Sequence, residues 1–332
     1  MTRRTLMTKT ILIAGGYGLV GSHIARHIRR LMPDTRLLIA GRSPDKAAEL
    51  VAELGNAAAC AMDSADPRAA LAAAGPLDAM VCALQDPHDQ LLAHAIETGC
   101  AHLSITRSVN DMASLLARTG NSTLQAPVIP TAHWQAGITT LAALDLVQGA
   151  FDRVDRISIA ALFDMADPIG PMTLEDSGSF FGKAQVLRDR AWCWVDPDAE
   201  VASVPVAGET IETRPMSVLD VPSLRAVTHA RDIEFRLGIG TSRGTRAGGA
   251  ASHDMEITVE GIDASGAKLT RTRIVSDPRG QAELTATGAA LAARRAVGGD
   301  GPPAPASAVL MPEAILNAGE AMAELRALGV TV

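Results

Sequence analysis

Short apolar runs alternate with amphipathic segments of helical period over about the first 150 residues of the chain. The apolar runs predict six strands, at Thr10–Ala14, Arg36–Ala40, Ala57–Met62, Ala79–Ala83, Ala101–Ser104 and Pro127–Thr131. The amphipathic segments predict six helices, at Leu19–Leu31, Pro44–Leu54, Pro67–Ala74, Pro87–Thr98, Asn110–Ala117 and Ile138–Gln148. Strands that alternate with helices are typical of a parallel sheet, so this part is predicted to be a doubly wound α/β domain.

After about Gly149, strands follow one another with few helices between them. The pattern predicts four strands, at Ile157–Phe163, Asp232–Ile239, Asp254–Ile262 and Lys268–Val275. It predicts a single helix in this part, at Thr173–Arg190. Gly261–Gly266 has the composition of a hairpin turn between the last two strands. This order of elements predicts an α+β domain with an antiparallel sheet.

Two helices are predicted at the end of the chain, at Ala282–Val297 and Pro312–Leu328, with a Gly- and Pro-rich spacer between them at Gly298–Ser307. We therefore predict a doubly wound domain over residues 1–150 that residues 282–332 complete. A second domain is predicted over residues 151–281. The predicted fold class is α/β, with a parallel sheet, an α+β second domain and C-terminal helices that return to the first domain.

The charge balance limits the partners that we expect. The 332 residues include 30 Lys and Arg against 37 Asp and Glu, a net charge of −7. Nucleic-acid binding requires a basic face, so no nucleic-acid partner is expected. No apolar run approaches the roughly 18 residues of a membrane span, so no membrane is expected either. Because no cysteine has metal-ligand spacing, we expect no metal site and a cytoplasmic protein with reduced thiols at Cys60, Cys82, Cys100 and Cys193.

A glycine motif lies between the first predicted strand and the first predicted helix. Gly16, Gly18 and Gly21 satisfy the GxGxxG spacing. Glycines at these positions permit a tight turn, close approach of a pyrophosphate and close packing of helix on strand. Backbone N–H groups at the positive helix end then bind the phosphates. We predict that this loop binds a dinucleotide, the alternative being a purely structural turn; its intervening residues are Tyr17, Leu19 and Val20.

The end of the second predicted strand distinguishes NAD from NADP. Recognition of the ribose 2′-hydroxyl of NAD uses an acid there, but this strand ends in Ala40-Gly41-Arg42-Ser43. Arg42 and Lys46 can pair with a 2′-phosphate, and Ser43 can donate a hydrogen bond to it. These residues favour NADP(H) over NAD(H); the alternative is that Arg42 is a solvated charge and Ser43 a helix cap.

Further candidate side chains follow the neighbouring predicted strands. Asp63 ends the third strand and is predicted either to contact the adenine or to form a turn. Leu84 and Gln85 follow the fourth strand, where we expect the nicotinamide ribose. Asp86 is a candidate at the same place, unless it only begins the next helix.

The single tyrosine of the chain excludes one dehydrogenase mechanism. Gly15, Gly18 and Gly21 also fit the GxxGxxG spacing of short-chain dehydrogenases, which need a tyrosine whose pKa is lowered by a lysine four residues on. The only tyrosine here is Tyr17, inside the glycine loop. Over about residues 9–140 the sequence instead resembles the saccharopine dehydrogenase-like oxidoreductases. The segments that carry the resemblance are Ile13–Gly21, Ala40–Ser43, Gly99–Ser104 and Pro130–Gly137.

The resemblance implies an NAD(P)-dependent reaction, often at a carbon–nitrogen bond that joins an amino acid to a keto acid. It also implies a Rossmann domain interrupted by an α+β domain, with C-terminal helices that pack back on the first domain, commonly in a dimer. Ser104 stands where the family usually has Asp, and Ala136 where it usually has Pro. We therefore expect a substrate other than saccharopine itself.

Two residues are candidate catalytic groups. His133 follows the sixth predicted strand, at the sheet edge where ligands bind, and can act as acid or base; the alternative is a structural loop histidine. Lys183 follows a segment rich in small residues, Asp176–Gly182, and can contact a substrate carboxylate or donate a proton; the alternative is a solvated charge.

The sequence thus supports one principal hypothesis and two alternatives. The principal hypothesis is an NADP(H)-dependent oxidoreductase that transfers hydride at a C–N bond of a small, amino-acid-derived substrate and forms a homodimer. The first alternative is a reductase of C=C bonds from the same superfamily. The second is a non-catalytic NAD(P)H-binding sensor or scaffold, in which replacement of His133 and Lys183 changes nothing measurable.

Overall fold

The computed structural model describes residues 8–106, 111–170 and 182–332. The chain divides into two compact units. The first unit comprises Met1–Arg107, Met112–Thr131 and Ala289–Ile315. The second comprises Ser108–Asp111, Ala132–Gly288 and Leu316–Val332.

The first unit is built on a six-stranded parallel sheet with the order β3-β2-β1-β4-β5-β6. Its strands are β1 (Thr10–Ala14), β2 (Arg36–Gly41), β3 (Ala57–Ala61), β4 (Ala79–Cys82), β5 (Ala101–Ser104) and β6 (Val128–Pro130). Its first helices are α1 (Leu19–Leu31), α2 (Ala48–Leu54), α3 (Arg68–Ala74), α4 (Gln90–Thr98) and α5 (Met112–Gly120). This is the strand order of the Rossmann fold, and the predicted fold class is confirmed.

Burial on both faces explains why the parallel strands read as continuous apolar runs. Ile11, Leu12 and Ile13 of β1 are fully buried, and one sheet face forms a core in which Leu12 packs with Leu38 and Met80. Burial of each such side chain contributes about 1.5–3 kcal/mol of transfer free energy. The strand order reverses between β1 and β4, so the loops after these strands border the crevice where such sheets bind ligands.

The second unit contains an eight-stranded sheet, β10-β11-β12-β7-β13-β14, in which β8 pairs with β12 and with β9. The strands are β7 (Arg153–Phe163), β8 (Ala184–Arg188), β9 (Ala191–Val195), β10 (Ala202–Val206), β11 (Glu209–Pro215), β12 (Asp232–Ile239), β13 (His253–Ile262) and β14 (Lys268–Asp277). Its helices before β14 are α6 (Ile138–Val147), α7 (Asp220–Thr228) and α8 (Arg243–Arg246). The sheet is mixed rather than purely antiparallel, because a long crossover makes β7 and β12 parallel neighbours.

The helix predicted at Thr173–Arg190 is wrong in its last part. Ala184–Arg188 is strand β8, which forms a hairpin with β9, and residues 171–181 lie outside the described residues. Helix α7 was not predicted; Pro222 in its first turn interrupted the periodic pattern, although proline is tolerated there. The hairpin turn predicted at Gly261–Gly266 is confirmed between β13 and β14.

The C-terminal segment forms three helices, α9 (Gln281–Ala296), α10 (Pro312–Ile315) and α11 (Ala318–Ala327). The single helix predicted at Pro312–Leu328 is therefore two helices, because Asn317 interrupts it and caps α11 by accepting the Glu320 N–H at 3.0 Å. Residues 289–315 belong to the first unit, whereas α11 packs on α6 in the second. Among the described residues, no helix is long and apolar enough to cross a membrane.

Candidate dinucleotide site and buried histidine cluster

The glycine loop between β1 and α1 is tied to β2 by its backbone. Gly15 has φ +75°, and the N–H groups of Gly15 and Gly16 both donate to Ala40 O, at 2.8 and 3.1 Å. Gly18 N–H donates to Gly15 O at 2.9 Å. The loop therefore turns sharply at the point where the strand order reverses, as the motif predicted.

Two of the motif glycines are required by close packing within the loop itself. A Cβ on Gly16 would lie 2.7 Å from Ile13 O, and one on Gly21 would overlap Gly15 O. Gly18 differs, since it is exposed and a Cβ there would meet only Gly15 O, at 3.1 Å. Gly16 and Gly21 thus shape the turn, while Gly18 leaves open space for a ligand.

The first turn of α1 presents unused backbone donors. The first helical hydrogen bond runs from Ser22 N–H to Gly18 O at 2.9 Å, so the N–H groups of Leu19 and Val20 precede the hydrogen-bond ladder. No acidic residue lies in this turn. Together with the positive end of the helix dipole, this arrangement suits a pyrophosphate.

The end of β2 carries two uncommitted cations and a hydroxyl. Arg42 and Lys46 are exposed, and within residues 8–106, 111–170 and 182–332 neither side chain forms an ion pair. Ser43 stands before the 3₁₀ turn Pro44–Ala47, but its side chain makes no capping hydrogen bond there. The Ser43 hydroxyl therefore does not form the helix-capping hydrogen bond that the alternative interpretation assigned to it.

Other predicted cofactor residues occupy the same sheet edge. A Cβ on Gly15 would lie 3.3 Å from Leu84 Cβ, so Leu84 adjoins the glycine loop, and Gln85 follows it. Asp63 forms a turn, since its Oδ1 accepts the Ala65 N–H at 3.0 Å. Asp86 anchors the start of α4 by accepting the N–H groups of α4 residues, among them Gln90 at 2.8 Å. The helix-start interpretation of Asp86 accounts for these contacts.

The donor set fits a dinucleotide. Backbone N–H groups face the place of a pyrophosphate, and two cations and a hydroxyl follow β2. The position about 20 residues beyond Gly21, where NAD-binding loops carry an acid, is Gly41. Among the described residues, no group of three His, Cys, Asp or Glu side chains can hold a metal ion.

His133 lies in the second unit and is buried, with 4% of its surface exposed. Its Nε2 shares a hydrogen bond of 2.7 Å with Ser223 Oγ. Burial lowers the pKa of His133 to about 3, so the imidazole is neutral near pH 7 and holds no dissociable cationic proton. In this form the ring offers one hydrogen-bond donor and one acceptor.

The next two residues are held by side chains that the sequence pattern did not reveal. Trp134 Nε1–H donates to His253 Nε2 at 3.0 Å, and Gln135 Nε2 lies 2.9 Å from the same atom. Trp134 N–H donates to Asp220 Oδ2 at 2.7 Å. An indole N–H can only donate, so His253 Nε2 accepts and the ring proton is on Nδ1. Burial lowers the pKa of His253 to about 4, which keeps this form neutral.

The backbone of this segment is left-handed over three consecutive residues. The φ angles of Gln135, Ala136 and Gly137 are +54°, +51° and +94°. Left-handed conformations are unfavourable for residues with a Cβ, and such strain is concentrated at functional sites. Proline, which is usual at this position in the family that the sequence resembles, is fixed near −65° and could not adopt the φ of Ala136.

Lys183 is exposed and immediately precedes β8. Most of the small-residue segment before it lies outside the described residues. Ser104, the other departure from the family pattern, is buried at the end of β5. Its carbonyl accepts both the N–H and the hydroxyl of Thr131, at 2.8 and 3.0 Å. Among the described residues, its own hydroxyl has no hydrogen-bond partner.

Sheet order and glycine loop together define a Rossmann-type fold, and the comparisons with known proteins agree. No protein-family model and no curated protein matches the sequence. The structure, however, matches saccharopine dehydrogenase (L-Glu forming) from Saccharomyces cerevisiae, with a TM-score of 0.67 and 15% identity. This match covers 97% of this chain and 98% of that chain. The chain therefore has a saccharopine dehydrogenase-like fold, as the sequence predicted.

Other dehydrogenases match over most of their length. A myo-inositol dehydrogenase from Corynebacterium glutamicum matches with a TM-score of 0.52 and 16% identity, covering 98% of each chain. An amine dehydrogenase from Mycobacterium smegmatis matches with a TM-score of 0.52 and 13% identity, covering 95% of this chain and 98% of that chain. Identities this low establish the shared fold alone.

Proposed function

We propose that the protein is an NADP(H)-dependent oxidoreductase of the saccharopine dehydrogenase-like type. The observation that carries this proposal is the end of β2, where Gly41 stands in place of an acid. Among the described residues, the side chains of Arg42, Ser43 and Lys46 there form no hydrogen bond or ion pair. A 2′-phosphate is a dianion with several acceptor oxygens, so it matches two cations and a hydroxyl, whereas a 2′-hydroxyl does not.

The remaining cofactor contacts follow from the same geometry. The N–H groups of Leu19 and Val20 bind the pyrophosphate at the space left open by Gly18, and Leu84 and Gln85 contact the nicotinamide ribose. Asp63 lies at the adenine side. The bound nicotinamide supplies or accepts the hydride, while the chain's own residues orient it and hold the substrate.

We propose a small, amino-acid-derived substrate that reacts at a C–N bond. Two of the matching structures are a saccharopine dehydrogenase and an amine dehydrogenase, and both names specify a nitrogen compound. Such a reaction needs a cation for the substrate carboxylate and a proton donor. Lys183 is exposed and can serve as the cation or as the proton donor. Neutral His133 is bonded to Ser223 and in this way holds the segment that follows it in sequence, Trp134–Gly137.

A non-catalytic dinucleotide sensor is the second candidate, and the neutral, buried state of His133 favours it. The two functions predict different results for the wild type and Lys183→Ala. A catalyst loses NADPH turnover when Lys183→Ala is introduced and keeps NADPH affinity. A sensor binds NADPH without oxidising it, with or without Lys183.

Paired calorimetric titrations with NADPH and NADH test the cofactor proposal. We expect NADPH to bind at least about tenfold more tightly, a difference of about 1.4 kcal/mol. Equal binding would contradict the role of the β2 end, and absence of binding would contradict the oxidoreductase itself. A screen of amino acids paired with keto acids, followed by NADPH absorbance, then tests the substrate class.

We further propose a homodimer and a cytoplasmic location. Trp192 and Trp194 are 45% and 56% exposed and share a face of β9, which among the described residues pairs only with β8. Antiparallel pairing of two β9 strands about a twofold axis at Cys193 brings Trp192 of one copy opposite Trp194 of the other. The four free cysteines support a reducing compartment.

A further inference from the structure

The side chain of Tyr17 fills the space at the end of β2. Tyr17 belongs to the glycine loop, and Gly41 is the last residue of the strand. A Cβ on Gly41 would lie 2.7 Å from both Cζ and the phenol oxygen of Tyr17, and it would overlap Cε1. Any side chain at position 41 therefore needs the space that the tyrosine ring occupies.

Position 41 is the one from which an NAD-type loop recognises the ribose. The acid that binds the 2′-hydroxyl lies about 20 residues beyond the motif, at the end of the second strand. Gly41 meets both conditions, since it ends β2 and follows Gly21 by 41 − 21 = 20 residues. The ring of Tyr17 thus covers the place where that acid would begin.

The phenol group is oriented by the backbone of the next turn. Ser43 N–H donates to the phenol oxygen of Tyr17 at 2.9 Å. Because this partner is a donor, the phenol keeps its own O–H proton for an acceptor outside the loop. A phosphate oxygen is a strong acceptor of such a bond. The 2′-hydroxyl of NAD lacks that charge and finds no carboxylate at this position.

We propose that Tyr17 is a specificity-determining residue for the dinucleotide, acting by two means. Its ring excludes an acidic side chain at position 41, and its O–H donates a hydrogen bond to the 2′-phosphate beside Arg42. This inference rests on the proposed function, because it requires that a nicotinamide dinucleotide bind at the glycine loop.

The first test removes only the phenol oxygen. Tyr17→Phe keeps the ring on Gly41, so the packing of loop on strand is preserved. A hydrogen bond to a charged group is stronger than one between neutral groups. We therefore expect the NADPH dissociation constant from calorimetry to rise at least about tenfold, while that for NADH is unchanged. Equal losses for both cofactors, or no loss for either, would overturn the inference.

The second test examines the conflict between ring and acid. Gly41→Asp alone displaces the Tyr17 ring and breaks its bond to Ser43, so we expect weaker binding of both cofactors. Tyr17→Ala with Gly41→Asp removes the conflict and is expected to bind NADH at least about tenfold more tightly than Gly41→Asp alone. Identical NADH affinities for these two proteins would show that the ring excludes nothing. Thermal unfolding of each variant checks that it is folded.

A spectroscopic readout is independent of turnover. Tyr17 is the only tyrosine, so protein labelled with ¹³C in its tyrosine rings gives a signal from this residue alone. We expect 2′,5′-ADP to shift that signal and 5′-AMP to leave it nearly unchanged. Equal shifts with both probes would contradict contact with the 2′-phosphate. Failure of the wild type to bind either cofactor would overturn the proposed function as well, whereas an NADPH preference that Tyr17→Phe leaves unchanged overturns only the role of Tyr17.

Discussion

The indole N–H of Trp134 donates to Nε2 of His253 across 3.0 Å, and this bond fixes the imidazole as the neutral Nδ1–H tautomer. Protonation of Nε2 would direct one N–H group at another inside a buried cluster. His133 is also buried and neutral, with its Nε2 bonded to Ser223. Two imidazoles of the second unit thus require deprotonation in the folded protein.

The stability of the protein should therefore fall as the pH is lowered below about 6.5. The folded pKa values of His133 and His253, about 3 and about 4, lie below the unfolded value of 6.5, so the unfolded chain binds protons first. By pH 5 each histidine lowers the free energy of unfolding by about 2 kcal/mol. Asp167 opposes this by about 1 kcal/mol, because burial raises its pKa to about 6.

Urea unfolding at pH 7.5 and pH 5 measures this effect. His253→Gln is expected to reduce the difference in the free energy of unfolding between pH 7.5 and pH 5 by the contribution of one histidine, about 2 kcal/mol. His229→Asn is the matched control, since His229 is exposed and at a left-handed helix end that asparagine tolerates. A stability that is constant from pH 7.5 to pH 5 would contradict the neutral state of both buried rings.

Alanine at two motif glycines should have different effects. Gly21→Ala introduces a Cβ that overlaps Gly15 O, so we expect the free energy of unfolding to fall by about 1–3 kcal/mol and NADPH binding to be lost. Gly18→Ala introduces a Cβ that meets only Gly15 O, at 3.1 Å, so the fold should be retained and only NADPH affinity reduced. Thermal unfolding and calorimetry separate the two effects; equal destabilisation would refute this division of roles.

Removal of the cations after β2 should weaken NADPH binding selectively. Arg42→Ala with Lys46→Ala is expected to raise the NADPH dissociation constant by about tenfold or more, and to flatten its dependence on salt concentration. NADH binding should be unchanged. Arg68→Ala with Arg271→Ala is the control for net charge, because it also removes two positive charges, from exposed arginines on α3 and β14. A matching loss in that control would point to long-range charge rather than contact.

Proline and glycine at position 136 should affect stability in opposite senses. Ala136→Pro cannot adopt φ +51° and should lower the free energy of unfolding by more than about 1 kcal/mol. Ala136→Gly relieves the left-handed strain and should leave stability unchanged or raise it by up to about 1 kcal/mol. Ala143→Gly in α6, the same exchange in a helix, should instead be destabilising. Loss of stability in Ala136→Gly would show that the segment carries no strain.

Light scattering tests the proposed dimer and its surface. The wild type is expected at twice the chain mass, and Trp192→Ser with Trp194→Ser at the chain mass of 34.5 kDa. Val227→Ser, which removes an exposed apolar side chain from α7, should leave the dimer intact. A double tryptophan variant that is still dimeric would locate the interface elsewhere.

The first unit was predictable because its signals are local. Strand β1 and helix α1 have the predicted bounds, since each follows one period of apolar residues. The glycine loop was found for the same reason. Strand β9 gave no such signal, because its residues, Ala-Trp-Cys-Trp-Val, are all apolar and show no alternation of apolar and polar positions. Its tryptophans face outward. The contacts of Trp134 with Asp220 and His253 join distant segments, which no spacing in the sequence connects.

The four cysteines differ in chemical reactivity. Burial raises the pKa of the Cys60 thiol, and it raises that of the Cys100 thiol to about 12, so both are poor nucleophiles. Cys82 is buried. Cys193 lies partly exposed on β9, between the two outward-facing tryptophans. The Cys193 thiol should therefore react with a maleimide dye in the monomeric Trp192→Ser, Trp194→Ser protein, and more slowly in the wild-type dimer, where the proposed twofold axis at Cys193 covers it.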